Sequence, residues 1–377
     1  MINQDRLVST FLELVQIDSP SGQEEEIARH LMATLKSLDL LVVRDETGNV
    51  IGRLAGEGQP ILLSAHIDTV EPGRGVTPFI EDGVVKSDGT TILGSDDKSG
   101  VAVILEVLRV LVEQGLPHPP LEVALTVSEE KGLKGAKGLD LTRLRAREGI
   151  VLDSGGEIGT IVVAAPSQDK IRAIVHGKAA HAGAEPEKGI NAIVVAAEAI
   201  AAMPLGRIDE ETTANIGRIQ GGTATNIVPD RAEMEGEARS HDEKKLEAQV
   251  QAMTEALEKA ANRHGATVDI DVQRSYSTFK LSEEDGIVRR AVAAARTLGL
   301  TPALVPSGGG SDANVFNAAG ITAINVSTGM DKVHTTEEQI AAADMVKCAE
   351  FLLAILGLEV GGWSERISDL RFAISDF

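Results

Sequence analysis

The 377-residue chain has a single cysteine, Cys348. No internal disulfide can form, and a thiolate-based zinc finger is excluded. Cys348 lies in the apolar-periodic stretch Asp344–Leu356, where a cysteine reads as a small buried hydrophobe rather than a nucleophile. Any metal must therefore be held by His and carboxylates. Aromatics are also scarce, with one Trp, one Tyr and seven Phe, so the core must be built from Leu, Ile, Val and Ala. Positive charge is short: 36 Lys and Arg against 57 Asp and Glu leave a net charge of −21. That argues against nucleic acid, whose phosphates need a basic face, and against an anionic membrane surface. No stretch reaches the ~18 consecutive apolar residues of a membrane-spanning helix. Met1–Ile17 carries Asp5, Arg6 and Glu13, lacks the basic and apolar regions of a signal peptide, and reads as an amphipathic helix. The expected location is the cytoplasm.

What is present is a globular composition, 43% hydrophobic and 25% charged. At ~150 residues per domain the length suggests two or three domains. In the first half, helical spacing at Leu7–Val15 and Glu24–Leu38 alternates with strand-like runs at Leu41–Val43, Val50–Leu54, Ile61–Ala65, Val123–Val127 and Ile150–Leu152. Gly100–Leu111 is apolar almost all round and reads as a buried helix. Such alternation implies an α/β fold with a mixed, largely parallel sheet flanked by helices. The middle changes character. Lys170–Val175, Gly189–Met203, Thr213–Ile219, Asn226–Ala238, Asp242–His264 and Ala266–Gln273 read as strand, helix, two strands, helix, strand. This βαββαβ order is that of an inserted ferredoxin-like α+β unit. Its expected boundaries are Pro166 and Tyr276, so residues 1–165 and 277–360 form one interrupted domain, 166–276 the insertion, and 361–377 a tail.

Five segments place His, Asp or Glu just after apolar runs, where the strands of an open parallel sheet present their ligand-binding ends. In Ser64-Ala65-His66-Ile67-Asp68, residues two apart share a face, so His66 can bind metal with Asp68 orienting it. Alone, the pair reads better as a satisfied structural histidine. Gly94-Ser95-Asp96-Asp97 sets two adjacent acids before the buried helix. In Ser128-Glu129-Glu130, neighbours point opposite ways, so one Glu can bind metal while the other handles a proton. Asp153, in Leu152-Asp153-Ser154-Gly155, and His334, in the run ending Glu337-Glu338, complete the set. Two His and several carboxylates are a donor set for two zinc ions without cysteine: one His and one terminal carboxylate each, plus one shared carboxylate.

The motifs SAHIDTV, GSDDKSG, TVSEEKG, LDSG, HGKAAHAG and VHTTEE together resemble the di-zinc metallopeptidases that include peptidase T, glutamate carboxypeptidase, aminoacylase and succinyl-diaminopimelate desuccinylase. The likeness runs to about Leu356 and is nearest to the peptidase T-like members. It implies a zinc-exopeptidase-like catalytic domain and a lid or dimerisation role for the insertion. It implies that His66 binds one zinc and His334 the other, that Asp96 bridges both, that the Asp96–Asp97 peptide bond is cis, that Asp153 completes the site of His66 and that Glu130 completes that of His334. It makes Glu129 the general base and Asp68 the support of His66. In the insertion it gives His181 a role in holding substrate or oxyanion, and it makes Asn226 and Arg239 substrate contacts. Gly309, in Ser307-Gly308-Gly309-Gly310-Ser311-Asp312, lets backbone approach the substrate; this segment lacks the ending of a phosphate loop.

The activity these residues imply is hydrolysis of short peptides by metal-activated water, most simply as a tripeptide aminopeptidase. A deacylase of N-acyl amino acids or a carboxypeptidase uses the same machinery, and a non-catalytic peptide-binding homologue is the third reading. Cobalt or manganese can replace zinc on these donors. A homodimer through the insertion is the expected assembly.

Overall fold

The structure is a computed structural model that describes residues 2–358. The expected tail at 361–377 lies outside the described residues. The chain divides into two compact units, one made of residues 2–163, 280–307 and 311–358, the other of Ala164–Phe279 with Gly308–Gly310. The changeover falls a few residues outside the Pro166 and Tyr276 expected from composition. The three glycines join the second unit because Gly310 N donates to Tyr276 Oη at 3.1 Å and Arg239 Nη1 donates to Gly308 O at 3.5 Å.

The first unit is built on one mixed sheet. Its centre is four parallel strands in the order Leu121–Thr126, Ile61–His66, Glu148–Gly155, Thr322–Asp331. They are buried on both faces, which is why they read as continuous apolar runs rather than alternating ones. Antiparallel strands extend both edges: Val50–Leu54 and Leu41–Arg44 on one side, Gln339–Ala341, Val84–Ser87 and Pro78–Glu81 on the other. Parallel pairing puts the carboxyl ends of the four central strands on one edge, and those ends carry His66, the Glu129-Glu130 turn, Asp153 and the loop to His334.

Ser95–Gln114 is the central helix, and Val101 to Leu111 bury nearly every side chain against the sheet. Gly115, at φ +58, closes it by accepting no further turn, its N–H returning to Leu111 and Val112 carbonyls. The helix lies hard on the sheet at Gly100, where an added Cβ would sit 2.3 Å from Leu152 O and 2.5 Å from Asp97 Oδ1. Cys348 is fully buried in the helix Ala342–Ile355. Among the described residues no helix is long and apolar enough to cross a membrane.

In the second unit, Gly206–Arg207, Thr212–Gly221, Arg231–Ser240, Ser167–His176 and Thr267–Tyr276 form an antiparallel sheet in that order. Ala192–Ala202 and Glu243–His264 pack on one face, burying Ile171, Ala173, Val175 and Met234. This is the ferredoxin-like arrangement, with the short Gly206–Arg207 strand added. The strand expected over Asn226–Ala238 begins only at Arg231. Pro229 has no N–H for the ladder, and Asn226 sits instead in a loop whose carbonyl accepts Ala182 N at 3.0 Å.

Gly100→Ala is expected to destabilise the protein by about 1–3 kcal/mol, the usual range for overpacking. Urea denaturation followed by circular dichroism measures it; an unchanged midpoint contradicts the close helix–strand approach.

Candidate metal centre and active site

The site begins at the end of the Ile61–His66 strand. His66 is 2% exposed. Its Nδ1 lies 3.0 Å from Asp68 O and 3.4 Å from Asp68 Oδ1, and its Nε2 lies 3.0 Å from Asp96 Oδ1 and 3.9 Å from Asp153 Oδ1. His334 comes from the loop after the Thr322–Asp331 strand, two strands away in the same sheet, and is held at φ +63. Its Nε2 lies 2.7 Å from Glu130 Oε1 and 3.1 Å from Asp96 Oδ2. Asp96 thus offers one oxygen to each histidine. The Asp96–Asp97 peptide bond is cis, and helical dihedrals begin only after Asp97.

Three groups of potential ligand atoms each lie within 4.8 Å of one another: His66, Asp96 and Asp153; Asp96, Glu130 and His334; and His66, Glu129 and Glu130. The first two share Asp96. Asp153 is fixed by Asn325, whose side chain accepts from Asp153 N at 2.9 Å and donates to Asp153 O at 2.6 Å where the strand register slips.

Asp68 does more than face His66. Fully buried, it accepts the Ser21 hydroxyl at 2.6 Å, Glu129 N at 2.9 Å and Glu130 N at 3.3 Å. One carboxylate therefore ties the histidine to the turn bearing the glutamate pair. That turn is further fixed by Glu24, which accepts both Ser128 N and Ser128 Oγ while Ser128 adopts φ +49.

The electrostatics follow from burial. Burial pushes the Glu129 carboxyl well above the usual range, and the neighbouring Asp153 charge adds to this. Burial does the same to Asp153 and Asp97, reinforced by Asp96 on the former and Asp153 on the latter. Burial opposes ionisation of Asp96 too, but hydrogen bonds from His334 and His66 outweigh it and hold this acid low. Hydrogen bonds to Asp96 and Glu130 raise His334 to about 10. Two imidazoles cannot neutralise so many buried acids, and a cation held among them would supply the missing positive charge. The donors are imidazole nitrogens and carboxylate oxygens, so the residues present fit a pair of ions such as zinc.

In the second unit, His181 is exposed and its segment pairs with the loop of Asn226, through Ala182 N to Asn226 O and Val228 N to Ala180 O. Its Nδ1 accepts Gly183 N and Ala184 N at 3.1 and 3.0 Å, so a neutral ring carries its proton on Nε2. Arg239 is tied by Nε to Glu237 at 2.9 Å and has Gly309 beside its Nη1.

Sequence reasoning passed over several buried groups. Asp312 accepts the Thr126 hydroxyl at the strand end before Glu129, and its other oxygen has no hydrogen-bond partner among the described residues. Lys98 is buried with Nζ on Ile17 O at 2.8 Å, and burial lowers it to about 7. Glu338 caps the Gly94–Asp96 turn. Each lies in a segment quoted above, but no pattern of residue types announces a bond to backbone, as for Lys98 and Glu338, or to a hydroxyl 186 positions away, as for Asp312.

The pattern of a peptidase dimerisation domain matches residues 168–265, and that of peptidase family M28 matches residues 49–193. The solved structure of aminopeptidase PepT from Bacillus cereus is 49% identical, with TM-score 0.85 and coverage of 94% of this chain and 98% of that one. A tripeptidase from Staphylococcus aureus is 43% identical, with TM-score 0.90 and the same coverage. The protein named YqjE of Bacillus subtilis, described as uncharacterized, is 48% identical over 94% of this chain and 99% of its own length. With identities of 43–49% along nearly its whole length, the chain belongs to the peptidase T-like metallopeptidases and is a hydrolase of peptides.

Proposed function

We propose that the protein is a two-zinc exopeptidase that removes the N-terminal residue of tripeptides. The observation that carries the reading is the Asp96 carboxylate with one oxygen at each histidine, flanked by Asp153 and Glu130. His66, Asp96 and Asp153 would hold one ion, and Asp96, Glu130 and His334 the other. Ions bound there polarise a peptide carbonyl and lower the pKa of water, and Co²⁺ or Mn²⁺ can serve in place of Zn²⁺.

The chain's own residues supply the proton chemistry. Glu129 is the general base: its carboxylate takes the proton of the attacking water and delivers it to the leaving amine. Asp68 keeps Glu129 in place through the Glu129 N–H and fixes the ring of His66. His181 offers an Nε2–H donor to the substrate carbonyl oxygen, Arg239 a guanidinium for the substrate carboxylate, and Asn226 and Gly309 polar backbone and side-chain contacts.

The assembly we propose is a homodimer through the inserted unit. Among the described residues the Thr212–Gly221 strand is paired on its outer side only at Thr213 and Ala214, and Ile193, Val194, Ile219 and Ile227 are exposed apolar residues of the same unit. A sheet edge of this kind is a template for a second strand. A cytoplasmic location belongs to the same reading, supported by a lone buried thiol that requires no oxidising compartment.

The purified protein is expected to cleave a free tripeptide, to leave its N-acetylated form intact, and to lose activity to a chelator and regain it with Zn²⁺. Cleavage of the acetylated peptide alone makes it a deacylase. Glu129→Gln is expected to lower kcat by about 10²–10⁴-fold, the usual share of general-base catalysis, with metal content by mass spectrometry unchanged. Retained turnover removes Glu129 as the base. Light scattering is expected to give twice the chain mass; a monomer contradicts the assembly.

A further inference from the structure

Glu338 is 1% exposed and follows His334 by four positions. Its carboxylate accepts four hydrogen bonds, all from one short segment. Leu93 N and Gly94 N each donate to Oε2 at 2.8 Å, Ser95 Oγ donates to Oε1 at 2.6 Å, and Asp96 N donates to Oε1 at 3.0 Å. Gly94 adopts φ +80, which turns successive amides toward one anion. Two donors on each oxygen match an ionised carboxylate, which only accepts. The segment so gripped ends on Asp96. Glu338 is itself anchored, by its own N–H on Thr335 O and by the Gln339–Ala341 strand that follows.

We propose that Glu338 is a positioning residue that fixes Asp96 relative to His334, and so acts on one ion site more than the other. Asp96 and His334 are two of the three members of one ligand group, and Glu338 joins the segments that carry them. In the other group only Asp96 depends on it, because His66 and Asp153 stand on adjacent paired strands. The inference rests on the two-ion reading given above.

The test is stepwise Zn²⁺ binding to metal-free protein in competition with a chromophoric chelator, with thermal unfolding of the same metal-free samples. Wild type is the control for the two-ion reading: if it takes up no pair of ions, that reading fails, and the failure is visible before any variant is made. His334→Ala marks which binding step belongs to its group. In Glu338→Gln an NH₂ replaces one oxygen and faces two donors. The expected result is that the step marked by His334→Ala weakens by about 10–100-fold, as for other groups that orient metal ligands, while the other step stays near wild type. Ser95→Ala, which keeps Glu338 and removes one of the four bonds, is expected to weaken the same step by less. Two unchanged steps overturn the proposal. So do two equally weakened steps with a lowered unfolding temperature, which mark Glu338 as a general stabiliser. If Glu338→Gln does not fold, Ser95→Ala decides: selective weakening supports the positioning role, and unchanged steps overturn it.

Discussion

One carboxylate reaching two imidazoles organises this protein. Asp96 has two oxygens in one plane, and each meets a different histidine, so His66 and His334 must arrive from opposite sides and stay there. The surrounding loops serve that demand. Asp68 binds the glutamate turn to His66, Glu338 binds the Asp96 turn to the His334 loop, and Asn325 pins Asp153 at the slip in the strand pairing. The acids brought together repel one another and are stripped of water, which is why burial drives Asp97, Asp153 and Glu129 toward their protonated forms. Such crowding is costly in a core and is found where a cation or a reaction uses it.

The parallel sheet makes the gathering possible. Four strands end on one edge, so residues from His66 to His334 meet although, apart from His66 with Asp68 and the adjacent pairs Asp96-Asp97 and Glu129-Glu130, none is near another in sequence. The second unit has a different character: an antiparallel sheet with apolar residues on the helix-covered face and Lys170, Arg172, Glu235 and Glu237 on the other. Alternation of that kind is what one covered face produces.

Much of this was legible in the order of residue types. The buried strands show as short apolar runs, and the acids and histidines show because they follow those runs directly. The insertion shows as a change from continuous to alternating strands. Other features left weaker traces. The hairpin Pro78–Glu81 with Val84–Ser87 lies at a sheet edge and is half exposed, so its hydrophobic pattern is faint, although Asp82-Gly83, both at positive φ, is a hairpin turn signal. The strand assigned from Asn226 ran too early because the apolar Ile227-Val228 pair masked the break at Pro229. The grip of Asp68 on the Glu129 turn and of Glu338 on the Asp96 turn is invisible in sequence because most of their partners are main-chain amides, which every residue but proline possesses.

The pairing of Glu148–Gly155 with Thr322–Asp331 spans the whole insertion. Four of the proposed ligands, His66, Asp96, Glu130 and Asp153, have been synthesised by the time the ribosome reaches Asp153, yet His334 and its clamp Glu338 come only after the intervening unit has been made. A nascent chain therefore carries one complete ligand group and two members of the second, which waits for His334. On the two-ion reading proposed above, activity would wait for the segment that carries His334, and a chain stopped between Gly320 and His334 would lack one member of the second ligand group.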